Sequence, residues 1–539
     1  LIFKRINFFG MKNKIISNFF LMIAAGLLLA SCTKDLNRVP PYDLTSEQVY
    51  KDLAGYKQVL AKLYAGLSLT GNAGPDGQGD IRGIDEGFSS YLRQYWQAQE
   101  LSTDEAVIGW NDATIRDFHY MTWGSSDVFL RALYNRIFFQ ITLCNEFIRE
   151  SAPSKLSARG ISGSDAAEIA FFRAEARFLR ALSYYHALDL YGNPPFVTEN
   201  DLVGAFLPGQ ISRPNLFNYI EAELKAIETE LKPARTNEYG RADAAAAWAL
   251  LSKLYLNAEA YIGSPRYTEC ISYCNKITAV SGYTLISNYR NLFLADNNTT
   301  STSEVIFPIT FDGGKSRTWG GTTYLVHAPI VGSMSAAAHG VDFGWGGIRT
   351  TKQFVQKFGG PAGDQRMNFH TSGQNLDIND ISVQTDGYGI IKFRNVTSTG
   401  ANGSNLTWVD TDFPMFRLAE IYLNYAEAVL RGGSGGNNTT ALNYINLLRQ
   451  RAYGNASGNI TTPQLTLQFI LDERAKELHW EATRRTDLIR YGQFTEGTYL
   501  WAWKGNVPGG QAVGSHRKLY PIPAADIVAN PNLLQNGGY

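Results

Sequence analysis

Four cysteines in 539 residues are too few for a disulfide framework. Cys32 belongs to the N-terminal segment. Cys270 and Cys274 stand one helical turn apart, a poor geometry for a bridge within a helix, and with Cys144 they read as small buried hydrophobes. Only seven histidines occur, none at metal-ligand spacing from another, so no metal site and no cofactor is expected. Neither sign of charge is in excess, with 49 basic and 49 acidic residues, which excludes the basic stripe of a nucleic-acid partner. Beyond residue 31 no apolar run reaches the length of a membrane-spanning helix. Walker A, H-E-x-x-H and dinucleotide glycine patterns are absent. Gly432-Gly433-Ser434-Gly435-Gly436 satisfies G-x-S-x-G by letter alone, since it follows a helical pattern instead of a strand. His479-Trp480-Glu481 matches the deaminase H-x-E without its P-C-x-x-C partner. Asp76, Gln78 and Asp80 alternate as in a calcium loop, but the sixth and twelfth positions are Ile81 and Gly87, so the hand-type loop fails.

What is present starts with an export signal over residues 1–31. Lys4, Arg5, Lys12 and Lys14 precede or open an apolar run from Ile15 to Ala30, and Met11 reads as the true start. Leu29-Ala30-Ser31-Cys32 fits the lipobox of bacterial lipoproteins, with Cys32 the lipidated residue and the new N-terminus. Losing the four basic residues of the signal leaves the mature chain with a net charge of −4. Residues 32–45 then form a polar, proline-containing tether that lifts the body from the membrane.

Helical periodicity dominates the body, expected as one domain over 46–539. Helices are predicted over 46–69, 128–149, 165–190, 216–231, 242–261, 267–280, 414–430, 438–451 and 465–491, with Gly192-Asn193-Pro194-Pro195 stopping the third. Trp248, Leu251, Ser252 and Tyr255 match the W-x2-L-G-x2-Y spacing of tetratricopeptide repeats, with Ser in place of Gly, and residues 418–425 match it more loosely. Residues 283–412 are rich in Gly, Thr, Ser, Asn and aromatics and read as loops with short strands. The expected fold is therefore mainly α. A tetratricopeptide-like helix-pair scaffold (46–282 and 413–539) would carry a loop-rich ligand-binding part (283–412).

Aromatic residues make up 13% of the chain; most belong to the core, but those in Gly- and Asn-rich loops are of the kind a carbohydrate surface uses. A pyranose offers an apolar face for an indole or phenol ring and a rim of hydroxyls for charged or amide groups. Two stretches mix these residue types. One holds Asp80, Arg82 and Trp96; the other holds Trp319, Tyr324, Trp345 and Arg349. Trp319 and Trp345 lead, because their small neighbours (RTWGGTT and FGWGG) leave a ring face open. Hydrolysis would instead need a pair of carboxyls flanking one bond. Asp85, Glu86, Asp104, Glu105, Asp342 and Asp364 are candidates, but no spacing singles out a pair.

Four segments together carry a resemblance: AEARFLRAL from Ala174 with YGNPP from Tyr191; Gly240-Arg241-Ala242; RLAEIYLNYAEA from Arg417; and ERAKEL from Glu473 through Arg485, Asp487 and Arg490 to the tail at 519–536. With the lipobox in order, the chain resembles the SusD/RagB family, the surface glycan-binding lipoproteins of Bacteroidetes. The resemblance implies a helical scaffold lipid-anchored to the outer membrane and exposed at the cell surface. It further implies a partner, a SusC-like TonB-dependent transporter that receives a captured oligosaccharide, and no enzymatic activity. A peptide ligand, or a secreted glycoside hydrolase, is the alternative. The family's ligand residues follow no fixed motif, so none is carried over. Its charged signatures read as Arg–carboxylate pairs that fix helix crossings.

Overall fold

The computed structural model describes residues 45–539, apart from Glu86 and Ala205. Cys32, the signal segment and all but the last residue of the tether lie outside the described residues. The chain divides into two compact units, 1–55 and 56–539. In the first, Thr45 and Gln48 form a capping box that opens the short helix Ser46–Val49. The single helix expected over 46–69 is broken there. At Gly55, in the first turn of the next helix, a Cβ would stand 1.9 Å from the Val49 carbonyl oxygen, so the close return of the chain there requires glycine.

The remaining helices are α1 (Leu53–Ala65), α2 (Tyr91–Glu100), α3 (Val128–Glu150), α4 (Gly163–Leu190), α5 (Arg213–Ile227), α6 (Ala244–Leu256), α7 (Tyr267–Thr278), α8 (Gly321–His327), α9 (Leu418–Leu430), α10 (Asn438–Tyr453), α11 (Leu467–Leu478) and α12 (Arg484–Arg490), with shorter turns between them. Their starts follow side-chain caps: Asp127 accepts from the amides of Phe129 and Leu130, Ser212 from Asn215, Asp243 from Ala245 and Ala246, and Asn437 from Thr440. Successive helices pack each on the next: α3 on α4, α4 on α5, α5 on α6, α6 on α7, α7 on α9, and α9 on both α10 and α11. The segment matching the repeat spacing is α6, paired with α7, and its looser counterpart is α9, paired with α10.

Six short strands form three antiparallel pairs among the described residues: β1 (Val107–Ile108) with β3 (Ile348–Arg349), β2 (Val305–Ile309) with β6 (Phe413–Arg417), and β4 (Phe369–His370) with β5 (Gly389–Ile390). Residues 414–417, expected to open a helix, are instead the end of β6.

The helix expected over 465–491 is also two, because the chain turns at 479–483. Trp480 and Ala482 hold positive φ there, at 63° and 59°. No glycine or proline marks the turn. It is fixed from outside: the Trp480 amide donates to Glu105 Oε2 (3.0 Å), its indole donates to the Glu105 carbonyl (3.1 Å), and the ring is fully buried edge-on to Trp96.

The charged signatures are helix clamps. Arg241 bonds Glu175, and Arg177 and Arg180 converge on Glu223, joining α4 to α5 and to the start of α6. A larger buried lattice links Arg417 with Glu304, Glu477 and Glu481, and Arg366 with Glu473 and Glu477. Burial pushes the Glu477 carboxyl up, but Arg451, Arg417 and Arg366 together hold it well below the usual carboxylate range. Cys144, Cys270 and Cys274 are free and buried.

Candidate ligand-binding cleft

The β1–β3 pairing builds the centre of the site. Antiparallel register sets Val107 opposite Arg349, and the Gly109 amide donates to Gly347 O at 2.9 Å. Trp110, just past β1, therefore meets Trp345, just before β3. Its indole N–H reaches the Trp345 carbonyl at 3.3 Å, and the ring centroids are 6.3 Å apart. Gly347 is required here, because a Cβ would stand 2.4 Å from the Trp110 ring. Gly320, beside Trp319, makes way for Ser90 in the same manner, at 1.8 Å. The glycines beside these tryptophans thus make room for the side chains of Trp110 and Ser90.

The two aromatic stretches come together. Trp319 donates from its indole nitrogen to Asp76 Oδ1 at 2.7 Å, joining the Asp-rich loop after α1 to the segment before α8. Trp319 lies 6.2 Å from Trp345 and 5.4 Å from Trp408, over which the Arg317 guanidinium sits at 4.9 Å. Four half-buried indoles thus run in the order Trp110, Trp345, Trp319, Trp408, with neighbouring planes inclined by 38°, 56° and 50°.

Beside the first three lies a cleft of about 550 Å³, lined by Asp85, Arg93, Trp110, Asp112, Trp319 and Trp345, with Phe88, Ile115 and Phe129 as an apolar end. Arg93 projects from α2. Its Nη1 donates to the carbonyls of Gly87 and Trp319, both at 3.1 Å, its face lies 4.3 Å from the Tyr324 ring, and its Nε has no partner among the described residues. Burial lowers its pKa, against the pull of Tyr324, Asp85 and Asp112.

Three expected site residues are corrected. Trp96 and Tyr324 are fully buried. Trp96 bonds the Trp480 carbonyl, while Tyr324, pushed up to about 12 by burial, accepts from Gln97 and supports Arg93 from behind. Arg349 is buried too. Its guanidinium is spent on three carbonyl oxygens, of Asp386, Gly347 and Ile381, so it ties loops together beneath Trp345, and burial lowers it to about 10. Asp80 pairs with Lys62 at 2.5 Å, and Arg82 is exposed outside the cleft lining. Trp319 and Trp345 line the cleft. Sequence reasoning missed Trp110, Trp408 and Arg93; Gly109-Trp110 carries the same signal that singled out the other two.

Of the acidic candidates, Asp104 is buried against Arg484, Glu105 is buried behind Trp480, and Asp364 pairs with Arg366. Glu86 lies outside the described residues. Among the described residues no group of three or more His, Cys, Asp or Glu side chains could hold a metal ion. Nor is any described helix long and apolar enough to cross a membrane.

Residues 364–539 match the SusD family. The starch-binding protein SusD of Bacteroides thetaiotaomicron is 36% identical over 98% of this chain and 100% of its own length, and the SusD-like protein P2 of Formosa agariphila is 24% identical over 95% and 98%. The chain belongs to the SusD family. Solved structures share the fold at lower identity. A SusD superfamily protein from Bacteroides vulgatus superposes with a TM-score of 0.70 (19% identical; 90% of this chain, 99% of the other). Surface glycan-binding protein A of Bacteroides thetaiotaomicron, solved with laminarihexaose, does so at 0.66 (20%; 90% and 99%).

Proposed function

We propose that this protein is a non-enzymatic, lipid-anchored outer-membrane protein that captures an α-glucan at the cell surface and passes it to a TonB-dependent transporter. The observation that carries the reading is the run of three indoles, Trp110, Trp345 and Trp319, that line the cleft with Arg93 and continue to Trp408. Neighbouring ring planes are inclined by 38° to 56°. A flat polysaccharide ribbon would stack best on coplanar rings, whereas inclined rings suit a curved chain. Arg93 supplies donors for the hydroxyl rim, and Asp85 and Asp112 supply acceptors at the cleft's edge. The starch-binding activity named for the 36% identical relative supports the same sugar class. Delivery to the transporter rests on the family resemblance and on the lipobox at Cys32.

Calorimetric titration with maltoheptaose tests the site. Trp319→Ala and Trp345→Ala are each expected to weaken binding roughly 5- to 30-fold, as loss of a stacking ring worth about 1–2 kcal/mol would. Unchanged affinity in both variants would remove the cleft from consideration. Release of reducing sugar during the titration would favour a hydrolase, with Asp85 and Asp112 as the carboxyls to examine.

A further inference from the structure

A second cavity, of about 570 Å³, shares no lining residue with the tryptophan cleft. It opens between the loop carrying Asn288 and Arg290, the turn at 337–339 and the segment 391–402. Two guanidiniums line it, and no carboxylate does. Arg290 spends one nitrogen on Asn368 Oδ1, at 2.7 Å. Arg394 spends Nε and Nη2 on the Ala338 carbonyl. Each retains donors with no partner among the described residues. Burial lowers the pKa of Arg394, and the charge of Arg290 lowers it further.

Neither of the other charged groups nearby forms an ion pair with the two guanidiniums. Lys392 turns its ammonium into the core, onto Glu481 at 2.6 Å and the His479 carbonyl. Asp296 bonds Ser398 through both oxygens, to the amide at 2.9 Å and the hydroxyl at 2.6 Å. In the wall, buried His339 has Nδ1 on the Ser335 carbonyl at 2.8 Å, while its Nε2 has no partner among the described residues. Two like charges lining one polar cavity raise the free energy by mutual repulsion, and an anion between them turns that cost into attraction.

We infer that this cavity binds a small oxyanion between Arg290 and Arg394. Two sources carry that chemistry. One is the carboxylate of an acidic sugar, whose hydroxyls suit the cavity's asparagines. The other is an inorganic tetrahedral anion.

The test is calorimetric titration of the whole mature chain with sodium glucuronate, inorganic phosphate and sulfate, with glucose as the neutral control. Saturable millimolar binding of at least one anion, and none of glucose, is expected. Tightest binding of glucuronate assigns the site to acidic sugars, and tightest binding of phosphate or sulfate assigns it to the inorganic source. The double variant Arg290→Gln/Arg394→Gln should lose roughly tenfold or more in anion affinity while still binding maltoheptaose, which reports its fold. Trp319→Ala should leave anion binding unchanged, so this result stands apart from the outcome at the cleft. Absence of binding by all three anions, or an affinity that survives the double variant, overturns the inference.

Discussion

Buried acids and imidazoles make the residue scale measurable through pH. Burial pushes the Glu100 carboxyl up to about 7, and that of Asp412, which accepts from Tyr239 and the Phe311 amide, to about 7 as well. Each holds its proton more tightly folded than unfolded. The stability this supplies is full below the ordinary carboxylate value and is lost as pH rises through about 7. His119, with carbonyl oxygens at both ring nitrogens, is lowered by burial to about 4, so its contribution has the opposite slope and is complete above about pH 6.5. In the upper window the acids dominate until Lys392 and Lys504, each lowered by burial to about 8, begin to titrate with the opposite slope, so the melting temperature should fall between pH ~6.5 and ~7.5. Glu100→Gln should flatten that decline in a thermal scan; a slope equal to that of the parent would contradict the assignment. Arg93 belongs to the same scale. Arg93→Gln keeps hydrogen-bonding capacity but loses the charge, and should weaken maltoheptaose binding by about 1.5–3 kcal/mol, the worth of a charge-assisted hydrogen bond, in a titration beside the parent. Trp319 and Trp345 were legible from sequence because a tryptophan amid glycines in a loop is unusual. Arg93 was not, because in YLRQYW it reads as the solvated face of a helix, and only the fold shows that face turned inward.

At the scale of elements, periodicity located most helices, and caps such as Asp127, Ser212 and Asp243 account for their starts. The failures have a common cause. The break at 479–483 is imposed by Glu105, far away in sequence, and not by a local breaker. The strand at 413–417 exists because β2 is there to pair with it. Helix α8 was hidden in a stretch whose glycines and threonines read as loop. Trp480→Ala removes the anchor of that break together with a fully buried indole, so a loss of about 3–5 kcal/mol is expected in denaturant unfolding. A loss below about 1 kcal/mol would mean that the turn is held by something else.

Across the whole molecule, the helical scaffold carries the indole platform, and the platform draws on both halves of the chain. Residues 76–112 and 319–345 lie far apart in sequence and meet through the Trp319–Asp76 bond and the β1–β3 pairing. The expected division put the loop-rich ligand-binding part at 283–412 and named a second aromatic stretch at 76–96 beside it; composition shows which segments are irregular but not which ones fold together. The lipid anchor is tested at this scale. Cys32→Ala should move the protein from the membrane fraction to the soluble fraction of fractionated cells, and recovery still in the membrane would contradict the lipobox reading.

Capture of a curved α-glucan without turnover is tested most directly by affinity electrophoresis. The soluble chain is run through native gels containing amylopectin or a linear β-glucan, and reducing sugar is assayed in parallel. Retardation in amylopectin alone is predicted, abolished by joint Trp319→Ala and Trp345→Ala, with no sugar released. Equal mobility in every gel, retardation that survives loss of both indoles, or release of sugar would contradict it.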